Sequence, residues 1–208
     1  GGLVSWTYDI DNAAAQRLAK GQVVTEVYTI TIDDQNGDTV TQDITIKVTG
    51  TADAPVLSVS NLTATEDGSS VSGTASETDA DTNDTHTYSV TPMPAGQGSV
   101  SINANTGQYT YSVGNDFQSL AEGQKTTVSF DVTVTDNKGE SDTETVTVEI
   151  TGTADAPVLS VSNLTATEDG PSVSGIASET DLDLNDTHTY SVTPMQAGQG
   201  TVNINANT

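Results

Sequence analysis

The chain has 208 residues and a formal net charge of −24, with 29 acidic residues against five basic ones. That balance argues against nucleic acid, whose phosphates call for Lys and Arg, and against anionic membrane surfaces; it favours cations, since self-repulsion of this size destabilises a compact chain unless counterions bind. There is no cysteine, hence no disulfide framework or thiolate metal site, and no apolar run approaches the ~18 residues of a membrane span.

Taken in chain order, NAAAQRLA (12–19) reads as a short helical turn before Gly21. VYTITIDD and DITIKVTG then alternate apolar and polar residues, the mark of half-buried strands. Asp34-Gln35-Asn36-Gly37 lies between them, and Asn-Gly is a strong hairpin signal because it supplies positive φ. Thr51-Ala52-Asp53-Ala54-Pro55 follows as a junction that proline holds extended and stiff. Further strands are predicted at 56–62, 70–77, 87–91, 98–103 and 107–113, and a second helical turn at 116–121 before Gly123. Val128, Phe130, Val132 and Val134 share one strand face. So do Val146, Val148 and Ile150, after the turn Asp136-Asn137-Lys138-Gly139. Thr153-Ala154-Asp155-Ala156-Pro157 repeats the first junction.

The chain also repeats itself over 102 residues. Ala52–Thr106 and Ala154–Thr208 differ at only seven positions: 69/171, 74/176, 80/182, 82/184, 94/196, 99/201 and 101/203. A period this long is a whole domain rather than a solenoid turn. About seven short strands per repeat of roughly 100 residues predict tandem immunoglobulin-like Greek-key β-sandwiches, an all-β fold. The phasing read from the junctions makes 1–52 the C-terminal half of one repeat, 53–152 a complete sandwich, and 153–208 the N-terminal half of the next. The competing phasing divides the chain at 1–104 and 105–208. A half-sandwich leaves its core face and edges open, so the two halves are expected to complement each other, head-to-tail between molecules or through a looped chain. Junctions without Gly/Ser slack predict a semi-rigid rod.

The densest polar stretch is Ser76-Glu77-Thr78-Asp79-Ala80-Asp81-Thr82-Asn83-Asp84, which recurs at 178–186. Asp-x-Asp-x-Asn sets hard oxygen donors on one side of a loop, which suits Ca²⁺ with its six to eight oxygen ligands. It is not an EF-hand, because Asp84 stands where the turn glycine belongs. Taken alone, the stretch is also an ordinary solvated acidic turn. Other acids accompany it: Glu66 and Asp67 after the first strand (repeated as Glu168 and Asp169), Asp136 at a strand end, and Asp53 and Asp155 in the junctions. Singly these read as turn or cap residues; together they would converge at a domain junction. His86 and His188 read as strand-start surface residues, because zinc would need more nitrogen or sulfur ligands. No Ser/His/Asp set has catalytic logic, so the chain is read as non-enzymatic.

The segment VSWTYDIDNAAAQRLAKGQVVTEVYTITIDDQNGDTVTQDITIKVTGTADAP resembles a VCBS-type repeat, found in giant type I-secreted (RTX) adhesins of bacteria. EDG…VSGTASETDADTNDTHTYSV resembles a cadherin repeat. The resemblance implies extracellular, calcium-rigidified sandwiches in tandem. It also implies ligand sets: Glu66, Asp155, Asp181 and Asp183 at the second junction, and Asp53, Asp79, Asp81 and Asp136 at the first, with part of each set beyond the sequence given. Thr49 and Ala52 stand at acidic positions of the cadherin linker, implying fewer ions per junction. The reading is therefore a calcium-stabilised extender of a bacterial surface adhesin acting in cell adhesion and biofilm formation. Its partners are neighbouring repeats, not nucleic acid or a membrane interior. The alternatives are a glycan- or ice-binding module using a Thr-rich sheet face, and a spacer of a secreted polysaccharide-active enzyme.

Overall fold

A computed structural model describes residues 2–184 and 186–205. It is almost entirely β. The N-terminal part holds one turn of helix, α1 (Asn12–Ala15), capped by the Asp11 carboxylate, which accepts the Ala14 amide at 3.2 Å. An antiparallel hairpin follows, β1 (Val23–Asp33) and β2 (Thr39–Thr49), in register from Val23↔Thr49 to Asp33↔Thr39. The predicted turn closes it: the Asp34 carboxylate takes the Asn36 and Asp38 amides at 2.8 and 3.0 Å, and Gly37 adopts φ +113°.

Residues 56–151 supply nine strands: β3 (Val56–Ser58), β4 (Leu62–Thr65), β5 (Val71–Thr74), β6 (Ser76–Thr78), β7 (His86–Val90), β8 (Ser99–Ile102), β9 (Gln108–Ser112), β10 (Lys125–Asp136) and β11 (Ser141–Thr151). One sheet runs β4-β11-β10-β7; β5-β9-β8 and β3-β6 form the others. The strands predicted at 56–62 and 70–77 are each split. β3 pairs with β6, whereas β4 joins β11 in parallel and β5 joins β9. Each long stretch therefore changes sheet partway, which is why seven predicted strands become nine.

Alternation does the rest. Val128, Phe130, Val132 and Val134 of β10 and Val146, Val148 and Ile150 of β11 are buried on one face, packed with Leu57, Leu62, Tyr109 and Tyr111 from the other strands. The Tyr109 and Phe130 rings meet edge-on, with centroids 5.8 Å apart. The Tyr109 hydroxyl accepts the Ser60 amide at 3.0 Å and donates to the Ser60 carbonyl, satisfying the backbone where β3 gives way to β4. The Tyr111 hydroxyl donates to the Gln97 carbonyl at 2.9 Å.

The helical turn predicted at 116–121 does not form. Phe117 sits at φ +72°, which no right-handed turn accommodates, and packs against the core. The segment is instead held to the junction: the Gly123 amide donates to the Gly152 carbonyl and the Gly152 amide to the Gln124 carbonyl. Gly21, Gly50 and Gln22 make the same pair of bonds one period earlier.

The C-terminal part forms one short hairpin, β12 (Val158–Val161) with β13 (Ala177–Thr180). Its sequence nearly repeats that of 52–106, yet its structure does not. LTAT is strand β4 at 62–65 and no strand at 164–167; HTYSV is β7 at 86–90 and no strand at 188–192. In the first copy these segments pair with β11 and β10. Among the described residues, no helix is long and apolar enough to cross a membrane.

Candidate metal centre

The parallel pairing of β4 with β11 ends at Thr65↔Thr151, so Glu66 leaves the sheet beside the start of the second junction. Its amide donates to the Thr151 carbonyl at 3.1 Å. Its Oε1 accepts the Thr153 amide at 2.7 Å and the Thr153 hydroxyl at 3.3 Å. The side chain is fully buried, and Oε2 has no hydrogen-bond partner. Across the junction, the Asp155 amide donates to Asp183 Oδ2 at 2.9 Å, and Asp155 Oδ2 and Asp183 Oδ1 are buried without partners. One oxygen from each of Glu66, Asp155 and Asp183 lies within 4.8 Å of the other two. Burial, followed by the charges of Asp67, Asp183 and Asp181, raises the Asp155 pKa above the ordinary carboxylate value.

A second cluster joins Asp79, Asp84 and Asp136 within the same distance. Asp136 serves the β10–β11 turn: Oδ1 accepts the Lys138 and Glu140 amides at 2.8 and 2.9 Å, leaving Oδ2 buried and unpartnered. Burial opposes its ionisation, but the amides of Lys138, Glu140 and Gly139 and the charge of His86 together hold its pKa below the ordinary value. Asp84 Oδ1 accepts Lys138 Nζ at 3.1 Å, and Oδ2 is buried without a partner. Asp79 Oδ1 accepts the Asp81 amide at 2.8 Å, and Oδ2 faces His86 Nε2 at 2.8 Å.

The first junction repeats part of the second. The Asp53 amide donates to Asp81 Oδ2 at 3.0 Å, and Asp81 Oδ1 is buried and unpartnered. Of the predicted residues, Glu66, Asp155 and Asp183 come together, Asp79 meets Asp136, and Asp53 meets Asp81. Asp181 stands apart from the Glu66 set. Its Oδ1 accepts the Asp183 amide at 2.9 Å and its Oδ2 faces His188 Nε2 at 2.7 Å, contacts that lower its pKa and raise that of His188. Asp67 is exposed at the rim, accepting from the Gln118 side-chain amide and the Thr153 hydroxyl at 3.0 and 3.2 Å. Asp84 was not among the predicted ligands; the signal for it was its place three residues beyond Asp-x-Asp. The histidines are not free surface residues: the His86 ring is mostly buried, with Nδ1 3.4 Å from Glu77.

Buried charges are expected to be paired or to coordinate metals, and among the described residues six buried carboxylate oxygens have no hydrogen-bond partner. The donors are all hard oxygens, which fit Ca²⁺ rather than zinc.

Residues 52–152 match the family model of the bacterial cadherin-like domain. No curated protein matches the chain. Among solved structures, the chain is similar to protocadherin gamma B7 extracellular cadherin domains 1–4, at 21% identity over 76% of this chain and 41% of that one, with a TM-score of 0.46. It is similar to human CDH23 EC21–23 at 17% identity (78% and 55% covered, TM-score 0.43). Drosophila N-cadherin EC1–4 gives 18% identity (66% and 34% covered, TM-score 0.36). The chain thus spans less than half the length of the first of these.

Proposed function

We propose that residues 52–152, a bacterial cadherin-like domain, form with their neighbouring repeats a non-enzymatic, calcium-stabilised extender of an extracellular bacterial adhesin. Cadherin-like domains are extracellular repeat modules of adhesion proteins, and they generally bind calcium. The observation that carries the calcium reading is the set of buried Glu66 and Asp183 with half-buried Asp155. It draws one carboxylate from the domain, one from the linker and one from the next repeat, each with an unpartnered oxygen. A bound cation supplies the missing positive charge. The residues do the mechanical part: Glu66 is anchored on Thr153 and Asp183 on the Asp155 amide, so closure of the set fixes the direction in which the next repeat leaves. An array of junctions of this kind is a stiff spacer that holds a distal binding module away from the cell, the role an adhesin needs in surface attachment and biofilms.

The test is small-angle scattering with calcium titration calorimetry, on the full chain and on Asp183→Ala. The wild type is expected to be longer and stiffer in millimolar calcium than in EGTA, and the variant to remain in the flexible state. Identical scattering of the wild type in both buffers would overturn the reading.

A further inference from the structure

We propose that Lys138 is a tethered counter-ion of the Asp79, Asp84 and Asp136 cluster. Its ammonium neutralises that end of the domain and weakens calcium there, so that the Glu66, Asp155 and Asp183 set fills first. The inference deepens the calcium reading and rests on it.

The two clusters are alike in donors and unlike in charge. Each brings three carboxylate oxygens within 4.8 Å of one another. Asp84 and Asp136 carry the same kind of bare oxygen as Glu66: Oδ2 of each is buried without a partner. The Asp84 side chain is 1% exposed and Asp136 is 6% exposed. Among the described residues, the lysine ion pairs are Lys125 with Glu149 and Lys138 with Asp84, and none reaches Glu66, Asp155 or Asp183. Lys138 Nζ stands 3.1 Å from Asp84 Oδ1, and His86 Nε2 lies 2.8 Å from Asp79 Oδ2. Two of the three carboxylates of this cluster therefore already face a basic group. A divalent ion drawn to Asp84 Oδ2 meets an ammonium on the other oxygen of the same carboxylate. It is either repelled by that charge or has to displace a cation whose attachment to the chain keeps its local concentration high.

The turn itself does not need the lysine. Asp136 Oδ1 accepts the backbone amides of Lys138 and Glu140 at 2.8 and 2.9 Å, and Gly139 takes the positive φ of +95°. One period earlier the same turn carries Asn36 at the place of Lys138. Asp34 Oδ1 there accepts the Asn36 and Asp38 amides at 2.8 and 3.0 Å, and Gly37 takes the positive φ. The backbone geometry is the same with either side chain. What Lys138 adds is an ammonium on a flexible stem that reaches Asp84, 54 residues away in the chain. Its side chain is 29% exposed, so the pair is only partly screened by water.

The test is calcium titration calorimetry on the full chain carrying Asp183→Ala, which disables the Glu66 set and leaves the Asp84 cluster to be read. This chain is expected to bind calcium more weakly than the wild type. Adding Lys138→Asn, the residue of the earlier turn, should tighten its binding at least about tenfold, the scale on which one neighbouring charge moves the proton affinity of a carboxylate. Lys125→Asn removes an equal charge from the exposed pair with Glu149 and should leave the affinity within about twofold, because distant surface charges are screened. Asp84→Asn, added to the Lys138 variant, should abolish the gain. Thermal unfolding gives a second reading: Lys138→Asn alone melts lower than the wild type in EGTA and recovers in millimolar calcium. Unchanged affinity in the Lys138 variant, no binding with or without Lys138, or an equal gain in both lysine variants overturns the proposal. Wild-type affinity retained in Asp183→Ala overturns the order of filling and with it the Glu66 site, a failure distinct from that of Lys138.

Discussion

Glu66→Gln keeps the shape of a fully buried side chain and removes its charge. The remaining carbonyl oxygen still accepts the Thr153 amide, as Glu66 Oε1 does at 2.7 Å. The new amide group replaces Oε2, which has no partner, and donates towards the carboxylates of Asp155 and Asp183. Leaving a buried polar group unsatisfied costs about 1–3 kcal/mol, more when it is charged. Without calcium the variant is therefore expected to be more stable than the wild type by about that amount, a rise of at least about 4 °C in the melting temperature of a domain this size. With calcium the order changes. A ligand at 100 times its Kd stabilises the folded state by about 2.7 kcal/mol, and a site that has lost one of three carboxylates forfeits most of that. Thermal unfolding in EGTA and in millimolar calcium reads both effects. The expected pattern is a raised melting temperature in EGTA together with a calcium response that has largely disappeared. A variant destabilised in EGTA and still fully responsive to calcium would mean that Glu66 is only a hydrogen-bond acceptor for Thr153, and the charge argument would fail.

Two further predictions concern the sandwich. Leu62→Ala removes a buried core side chain and should cost about 2–5 kcal/mol, whereas Leu164→Ala, at the matching but exposed position, should change the stability of the dilute chain by less than about 0.5 kcal/mol; equal effects in urea unfolding would contradict the difference in burial. Burial, with help from the Asp116 charge, pushes the Tyr111 pKa up from 10.0 to about 12. The folded state thus favours the neutral phenol. That contribution is fully present below pH 10 and is lost as pH rises through about 12, so Tyr111→Phe should flatten the fall in stability over that window. An unchanged alkaline profile in the variant would count against the buried phenol.

Much of the fold was legible because alternation is a local signal. The inward residues of β10 and β11 could be read off directly, and the Asp-x-x-Gly turns fixed both hairpins. What escaped was decided by partners distant in the chain. The breaks at 59–61 and at Ala75 arise because β4 and β5 join strands some 35–90 residues away, β11 and β9, while β3 and β6 pair with each other. Nothing in VLSVSNL or SVSGTASE announces that exchange. The limit is sharpest at LTAT and HTYSV, which are strands at 62–65 and 86–90 because β11 and β10 supply their partner edges, a dependence their own residues do not show. The failed helical turn at 116–121 has a local cause in the positive φ of Phe117, but the packing that holds it there is not local. For the site, composition and spacing singled out the carboxylates, while their grouping depended on the fold: the parallel register that carries Glu66 to the junction, and the turn that carries Asp136 to Asp84.

The grouping follows one rule. Glu66 has one oxygen held by the Thr153 amide, Asp183 by that of Asp155, Asp81 by that of Asp53, and Asp136 by those of Lys138 and Glu140. In each case the second oxygen is buried without a partner. An acidic coat selected for solubility would point its oxygens at water, where every lone pair is satisfied. Carboxylates clamped on one side by the backbone and left bare on the other are already oriented before any ion arrives, so cation binding incurs little ordering entropy. Three of these four clamps involve residues of the junctions. The same hydrogen bonds that orient these carboxylates therefore also tie each linker to its domains, and a cation held by the bare oxygens, as proposed above, would tighten the linker directly. The net charge of −24 is the other side of this arrangement: carboxylates gathered at junctions repel one another unless a cation neutralises them, and on the extender reading proposed above the stiffness of the chain would be conditional on that ion.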